Sequence, residues 1–465
     1  IFTKKIPLSI KNTFFPQNKG TLITQEAESG RGWIRGLSSI ERVSLLRVQG
    51  SGMIGICGSS MRIFSVLARE NVNVILISQA SSEHSICFAI SPKDAAKAKE
   101  SIEQEFHFEI NAHQMEPVQI ETNLSVIAIV GEKMRQTPGI SSRLFSSLGA
   151  NGINVIAIAQ GSSELNISVV IKKNDEAKAL KAIHDTFFLS QTRRINLFIV
   201  GLGLIGDTLI SQILAQKSKI CEEMSLEINV VGMMNTKKML FEEQGISLEN
   251  WKETLGQKGK PSTLRAFVTK MKEYNLPCSV FIDATPSDDP VEFYEEVFNA
   301  NISIATPNKK ANSADFELYK RLKETARKRG VVFAYETNVG AGLPVIGTLR
   351  DLIQSGDQIL KIEAVLSGTL SFIFNEFSKD QLFTQVVKNA KSLGYTEPDP
   401  REDLNGMDAA RKLLILIREC GFALEMEQLN LEGLLDEKSL QADSVEKFFE
   451  VLADRNQEFE DKRQQ

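Results

Sequence analysis

The chain has 465 residues, enough for about three domains, and its 42% hydrophobic and 24% charged residues are those of an ordinary globular protein. A formal net charge of −5 offers no basic surface for nucleic acid. No apolar run reaches the ~18 residues that span a bilayer and no charged-then-apolar leader opens the chain, so neither nucleic acid nor membrane is an expected partner.

Cys57, Cys87, Cys221, Cys278 and Cys420 are scattered, with no Cys-x-x-Cys, and read as reduced thiols rather than a zinc site. A cytoplasmic setting is expected, or an organelle stroma if a transit peptide has been lost. Both ends read as cut: the chain opens at Ile1 before an expected strand, Ile6–Ile10, and closes in a charged helical stretch from Phe448 to Gln465. It is therefore expected to be a piece of a longer polypeptide. An internal repeat follows. Asn73-Val-Ile-Leu-Ile-Ser-Gln79-Ala-Ser-Ser-Glu83 recurs as Asn154-Val-Ile-Ala-Ile-Ala-Gln160-Gly-Ser-Ser-Glu164. Each copy is preceded by a strand (Val43–Val48; Leu124–Val130) and a helix (Arg62–Glu70; Ser141–Gly149). Each is followed by an alternating strand (Ser85–Ile90; Asn166–Ile171) and an Ala/Lys-rich helix. That order is the ferredoxin-like β-α-β-β-α unit written twice, and two such units can pair their sheets.

Arg193–Arg194 reads as a linker. The apolar strand Ile195–Val200 then runs into Gly201-Leu-Gly203-Leu204-Ile205-Gly206 and a helix. Further strands at Ile228–Met233, Val280–Asp283 and Ile302–Ala305 alternate with helices, which predicts a doubly wound parallel sheet of the Rossmann kind. From about residue 336 the character changes to Gly-rich loops, one expected strand at Ile359–Leu366 and then long helices, a separate α+β domain. The chain as a whole is thus α/β and α+β, multidomain.

In Gly201-x-Gly203-x-x-Gly206 the first glycine permits a tight turn, the second lets backbone approach a pyrophosphate and the third allows close helix–strand packing. The next strand ends in Gly232-Met-Met-Asn235-Thr236-Lys237-Lys238, with no acid to bind a ribose 2′-hydroxyl. Two lysines there tilt the cofactor toward NADP, although they also fit the start of a solvated helix. No histidine lies beyond His184, so carbonyl reduction in this half would take its proton from lysine or tyrosine. The densest polar cluster runs from Gly394 to Lys412. A helix is expected to start near Asn405, which places Asp408 and Lys412 on one face: a carboxylate for an ammonium beside a proton donor, or a plain surface pair with Asn405 as N-cap. The glycine-rich Glu336–Pro344 stretch could turn carbonyl oxygens toward a hard cation, or could be a tight interdomain turn.

These clusters, in this order, resemble the homoserine dehydrogenase family. The stretches that carry the likeness are the Gly201 loop, Thr306-Pro-Asn-Lys-Lys-Ala-Asn312, Tyr335-Glu-Thr-Asn-Val-Gly-Ala-Gly-Leu-Pro344, Leu366-Ser-Gly-Thr-Leu370 and, most specific, Gly394-Tyr-Thr-Glu-Pro-Asp-Pro-Arg401. The whole chain resembles the bifunctional aspartokinase–homoserine dehydrogenases. The resemblance implies NADP(H)-dependent interconversion of L-aspartate 4-semialdehyde and L-homoserine in threonine and methionine biosynthesis, by direct hydride transfer. It implies Lys412 as proton donor, with Lys309 at the reaction centre and the cofactor. Glu397, Asp403, Asp408 and Tyr395 would line the substrate pocket. Gly201, Gly203, Leu204, Ile205, Gly206, Thr285, Pro286, Ser287 and Gly394 would meet the cofactor. A monovalent cation, typically sodium, would be held by backbone around Glu336, Val339, Ala341 and Leu343.

The repeat resembles paired ACT domains, and Gln79 and Gln160 match glutamines implicated in threonine sensing; the alternative is that both merely end strands. The implied organisation is a C-terminal aspartokinase remnant at 1–27, ACT domains at 28–122 and 123–192, a Rossmann domain at 193–335 and a truncated substrate and dimerisation domain at 336–465. Kinase activity would belong only to the longer parent, and a homo-oligomer, dimer or tetramer, is expected. The rival reading is a catalytically silent amino-acid-sensing and dimerisation module.

Overall fold

A computed structural model of the chain describes residues 6–23, 34–79, 84–131, 134, 137–160, 165–188, 193–378, 381–396, 399–431 and 433–464. The repeated Ala80–Glu83 and Gly161–Glu164, residue 27 and Glu397 lie outside the described residues. The chain forms two units, Ile1–Arg193 and Arg194–Gln465.

In the first unit a short hairpin, Leu8–Ile10 with Thr21–Ile23, precedes the repeat. Both copies take the expected order. The first has strand Ile34–Gln49, helix Ser59–Arg69, strands Val74–Gln79 and Ser85–Ile90 and helix Ala95–Glu105. The second has strand Gln119–Gly131, helix Ile140–Ala150, strands Ala157–Gln160 and Asn166–Lys172 and helix Glu176–Phe187. The two leading strands pair antiparallel and so fuse the copies into one six-stranded sheet. Arg42 and Asn123 both take positive φ, +56° and +60°, at the irregularity where this pairing shifts register.

Val74–Gln79 and Ala157–Gln160 are the two edges of that sheet in hydrogen-bond order. Yet Ile75 and Leu76 share one apolar cluster with Ile156, Ala157 and Ala159, so the sheet bends until its edges converge. Gln79 and Gln160, both exposed, are the last residues of these converging strands.

The second unit is built on a seven-stranded sheet. Its order across is Lys260–Pro261, Lys238–Phe241, Leu226–Met234, Arg193–Val200, Ser279–Asp283, Ser303–Ala305 and Phe333–Ala334. The last four strands run parallel to one another. The central strand shows why its sequence is continuously apolar. Phe198 and Val200 pack into the core on one face, and Leu197 and Ile199 into the core on the other. The boundary between the units falls between Arg193 and Arg194, as expected, but both residues lie in a strand rather than a loop: the strand begins at Arg193, and Arg194 is paired with Glu227.

Beyond residue 336 the chain is helical, with Val345–Gln354, Gly368–Glu376, Phe383–Ser392, Met407–Glu419, Val445–Asp454 and Asn456–Gln464. The expected strand at Ile359–Leu366 does not form. Residues 357–367 belong to no sheet among the described residues, and Leu360 and Val365 stand 93% and 78% exposed. An apolar pattern suits a strand, but a strand also needs a partner, and none pairs with this segment among the described residues.

A buried carboxylate ties these helices to the sheet domain. Glu419, at the end of Met407–Glu419, accepts from Arg350 Nε (2.7 Å), Lys323 Nζ (2.8 Å), the Tyr319 hydroxyl (3.2 Å) and the Tyr335 hydroxyl. Burial pushes the Glu419 carboxyl up, but the bonds from Arg350 and Lys323 outweigh it and hold the group down to about 2, from an ordinary 4.5. Burial moves Lys323 downward although Glu419 pulls it up, so the carboxylate is the member that gains from the pairing. Because its folded pKa lies below its unfolded one, the stabilisation is present above about pH 4.5 and is lost as pH falls toward 2. Urea unfolding between about pH 5 and pH 2 should cost the natural protein on the order of 3 kcal/mol more than Glu419→Gln. Parallel stability curves would show that Glu419 contributes no such term.

Candidate active site

The glycine turn lies between the central strand and the helix Leu204–Met224. Gly201 sits at φ +92°, and a Cβ there would lie 2.8 Å from the Ala284 carbonyl and from Thr285 Cγ2. At Gly206 a Cβ would fall 2.0 Å from the Gly201 carbonyl oxygen, whereas at Gly203 it would meet nothing within 4 Å. The first and third glycines are thus required by packing and the second faces open space, the division of labour a bound pyrophosphate needs. Leu204 and Ile205, 83% and 54% exposed, open the helix and point its first, intrahelically unpaired N–H groups at that space.

Two loops leave the carboxyl ends of adjacent parallel strands beside this turn. Ala284–Ser287 follows Ser279–Asp283, and Thr306–Lys310 follows Ser303–Ala305. The loop holding Thr285, Pro286 and Ser287 is fixed by Asp283, whose Oδ1 accepts from the Thr285 N–H (2.9 Å) and hydroxyl (2.7 Å). In the second loop Lys309 extends toward the helix Met407–Glu419, where Asp408 lies in the first turn and Lys412 one turn on.

These three side chains meet. Lys412 Nζ lies 2.6 Å from Asp408 Oδ2, and Lys309 Nζ lies 3.4 Å from Asp408 Oδ1. Lys412 also donates to the Leu366 carbonyl at 2.6 Å. Burial pushes Asp408 up, but Lys412 and then Lys309 outweigh it and hold its carboxyl below the ordinary value. A plain surface pair does not describe this group, because a third charge reaches it from the sheet domain and Lys412 is only 17% exposed. The helix begins at Met407, two residues past Asn405. Gly406, at φ +74°, is its N-cap, and the Asn405 side chain accepts the Met407 N–H in a local turn instead.

The segment Leu366–Leu370 organises the rest. Its Thr369 hydroxyl lies 2.6 Å from the Tyr395 carbonyl and 3.0 Å from Asp403 Oδ1, and Ser367 caps the helix Gly368–Glu376. Tyr395 lies with its ring against Phe372, centroids 4.7 Å apart, and Gly394 turns at φ +75° after the helix Phe383–Ser392. Within the proline-rich loop Asp399 pairs with Arg401, which also donates to the Ala442 carbonyl, so that pair braces the loop. Sequence reasoning passed over Thr369, the Leu366 carbonyl and Asp283. Each acts through a contact distant in the chain, and the only sequence signal was that the first two fall in the quoted Leu366–Leu370 stretch.

At the glycine-rich loop the Glu336 carboxylate is spent on the helix Val345–Gln354, accepting the N–H groups of Ile346 and Gly347, each at 2.8 Å. Gly340 and Ala341 take φ +81° and +50°, two successive left-handed residues that fold the loop back. Leu343 donates to the Gly340 carbonyl and its own carbonyl accepts from Val345. Backbone carbonyls, rather than a carboxylate, are what this loop has to offer a cation. No group of three or more His, Cys, Asp or Glu side chains suited to a metal occurs among the described residues, and no helix there is long and apolar enough to cross a membrane.

Sequence models of three families match the chain. They are homoserine dehydrogenase over residues 344–457, the homoserine dehydrogenase NAD-binding domain over 201–336, and the ACT domain over 46–106 and 127–187. A bifunctional aspartokinase/homoserine dehydrogenase of Arabidopsis thaliana is 42% identical over 453 residues, covering 96% of this chain and 49% of that protein. The homoserine dehydrogenase of Schizosaccharomyces pombe is 38% identical over 279 residues, covering 58% of this chain and 74% of that protein. The chain spans about half the length of the curated bifunctional relatives it matches. A crystal structure of a Candida auris protein of unknown function aligns with a TM-score of 0.51 at 33% identity, covering 58% of this chain and 76% of that one.

The glycine geometry separates two substitutions. Gly206→Ala should destabilise the fold by about 1–3 kcal/mol through overpacking. Gly203→Ala should leave the melting temperature unchanged but weaken binding of the reduced nicotinamide cofactor at least about tenfold, read by fluorescence titration. Normal binding by Gly203→Ala would remove the pyrophosphate from that space.

Proposed function

Given that the chain belongs to the homoserine dehydrogenase family, we propose that it interconverts L-aspartate 4-semialdehyde and L-homoserine with NADP(H). The observation that carries this reading is the meeting of Lys309, Asp408 and Lys412 beside the glycine turn. Bound at that turn, the nicotinamide would supply the hydride to the aldehyde carbon. The developing alkoxide needs a proton, and Lys412 is the group to give it. Of the three hydrogens on its ammonium, Asp408 and Leu366 engage two, and the third is left for substrate oxygen. Lys309 adds a second positive charge facing the same carboxylate, so charge developing on oxygen is met by fixed cations. Asp408 and Glu397 would take the substrate ammonium, with Asp403, held by Thr369, completing the polar wall and Tyr395 beside it.

The preference for NADP rests on fewer groups than the sequence suggested. Asn235 Oδ1 accepts the N–H groups of Lys237 and Lys238 and turns the chain, while Lys238 spends its ammonium on the Gly256 carbonyl. Of these two lysines, Lys237, exposed, is the one left for a 2′-phosphate. A sodium ion at the carbonyls of Glu336, Val339, Ala341 and Leu343 would stiffen the loop leading into the helix Val345–Gln354. In the repeat unit, the converging strand ends with Gln79 and Gln160 are the proposed seat of L-threonine, which would act as a feedback effector. A homodimer or tetramer is the proposed assembly.

NADPH absorbance during homoserine oxidation tests the reading. Lys412→Ala should lower kcat by about 10²–10⁴-fold in a folded protein; equal rates would end the proton-donor role. Lys237→Ala should raise the KM for NADPH about tenfold with NADH unaffected, while Lys238→Ala shifts neither. Threonine binding by calorimetry should vanish in Gln79→Ala/Gln160→Ala, and undiminished binding would place the effector elsewhere.

A further inference from the structure

Asp283 is fully buried at the carboxyl end of a central parallel strand, and among the described residues no cation bonds to it. All four of its side-chain contacts are donors. Oδ1 receives the Thr285 N–H and hydroxyl; Oδ2 receives the Tyr294 hydroxyl at 2.7 Å and Asn308 Nδ2 at 2.9 Å. A carboxylate has acceptor sites for four donors and no hydrogen to oppose them, whereas an amide of the same shape would turn an N–H against one pair. A buried charge held only by neutral donors is costly to keep unless every site is filled. Here burial raises Tyr294 far above its ordinary range, and the neighbouring Asp283 charge adds to that, so the phenol stays a donor.

The donors come from two loops with two tasks. Thr285 belongs to the cofactor loop. Asn308 directly precedes Lys309 and also donates to the Ser287 carbonyl at 2.7 Å, while its own Oδ1 accepts the Lys310 N–H. The main chain adds a second tie, because the Asp283 carbonyl accepts the Thr306 hydroxyl, and that hydroxyl in turn accepts the Asn308 N–H. We propose that Asp283 is a positioning residue that joins the cofactor loop Ala284–Ser287 to the lysine loop Thr306–Lys310, so that cofactor and Lys309 are placed as one unit. This rests on the dehydrogenase reading given above. A misplacement of about 1 Å at either loop is enough to cost about 10²-fold in rate.

The test is a cycle in the full chain, with kcat for homoserine oxidation, NADPH affinity by fluorescence and melting temperature read on each variant. Asp283→Asn should lower kcat about 100-fold and weaken NADPH binding. Thr285→Val should act mainly on NADPH affinity, and Asn308→Ala mainly on kcat with affinity held. Asp283→Asn/Asn308→Ala should be no slower than Asp283→Asn alone, because both remove the same tie; a residue serving only the fold would give additive losses. Additive losses, or a folded Asp283→Asn with unchanged kcat and affinity, would overturn the proposal. Should Asp283→Asn not fold, Thr285→Val and Asn308→Ala are read singly, and a folded Asn308→Ala with unchanged kcat or a folded Thr285→Val with unchanged NADPH affinity overturns it equally. If the natural protein binds NADPH but does not oxidise homoserine, the proposed function fails. The affinity readings still judge Asp283 in that case: unchanged NADPH binding in Asp283→Asn rejects the tie.

Discussion

Two ammonium groups, Lys309 and Lys412, share the single Asp408 carboxylate, and the second unit is arranged to keep them there. Left alone, like charges at this spacing repel, and in a partly buried site solvent screens them poorly. The carboxylate between them offsets the repulsion and is itself kept ionised by them. Such an arrangement has a consequence for chemistry. In the proposed reaction a polar substrate would meet positive charge already fixed in place, so little reorganisation would accompany the growth of negative charge on its oxygen.

Holding the group together falls to contacts on either side of it. Asp283 fixes the loops at the sheet, and Glu419 anchors the far end of the helix that presents Asp408 and Lys412. Arg418, next to Glu419 and with a buried side chain, donates to the carbonyls of Asn312, Ala314 and Leu424. The same helix is thereby tied to the segment that follows Lys309. Buried polar groups of this kind add little net stability compared with apolar packing, but they specify one arrangement, because each unmade bond would leave a buried group unpaired.

The repeat unit solves a different problem. Each β-α-β-β-α copy has one sheet face covered by its own helices and another bare, and pairing the long strands Ile34–Gln49 and Gln119–Gly131 lets the bare faces bury one another. Bending brings the edge strands together. Two glutamines that are widely separated in sequence thus end strands that converge on one side of the sheet, an arrangement suited to a small amino acid held between duplicated halves.

Local pattern made the element types legible. The repeat, the alternating and continuous strands, the glycine turn and most helices follow from residues that are neighbours in sequence, since side-chain period and glycine placement are local properties. The pairing of Asp408 with Lys412 was visible for the same reason, being one helical turn. What local pattern could not supply was partnership. Ile359–Leu366 has the composition of a strand, yet strand formation is decided by a neighbour and none pairs with it here. Arg193–Arg194 has the composition of a linker but is drawn into the sheet. Lys238 looked free for a phosphate until the Gly256 carbonyl was brought beside it. The approach of Lys309 to Asp408, the Leu366 carbonyl under Lys412 and the four donors around Asp283 are likewise products of tertiary packing. The sequence by itself determined most of the segments that form helix, strand or turn and which residue types were available for chemistry. The tertiary structure alone decided which of those residues meet, because hydrogen bonds and ion pairs depend on distances of a few ångströms that chain-distant segments reach only when packed.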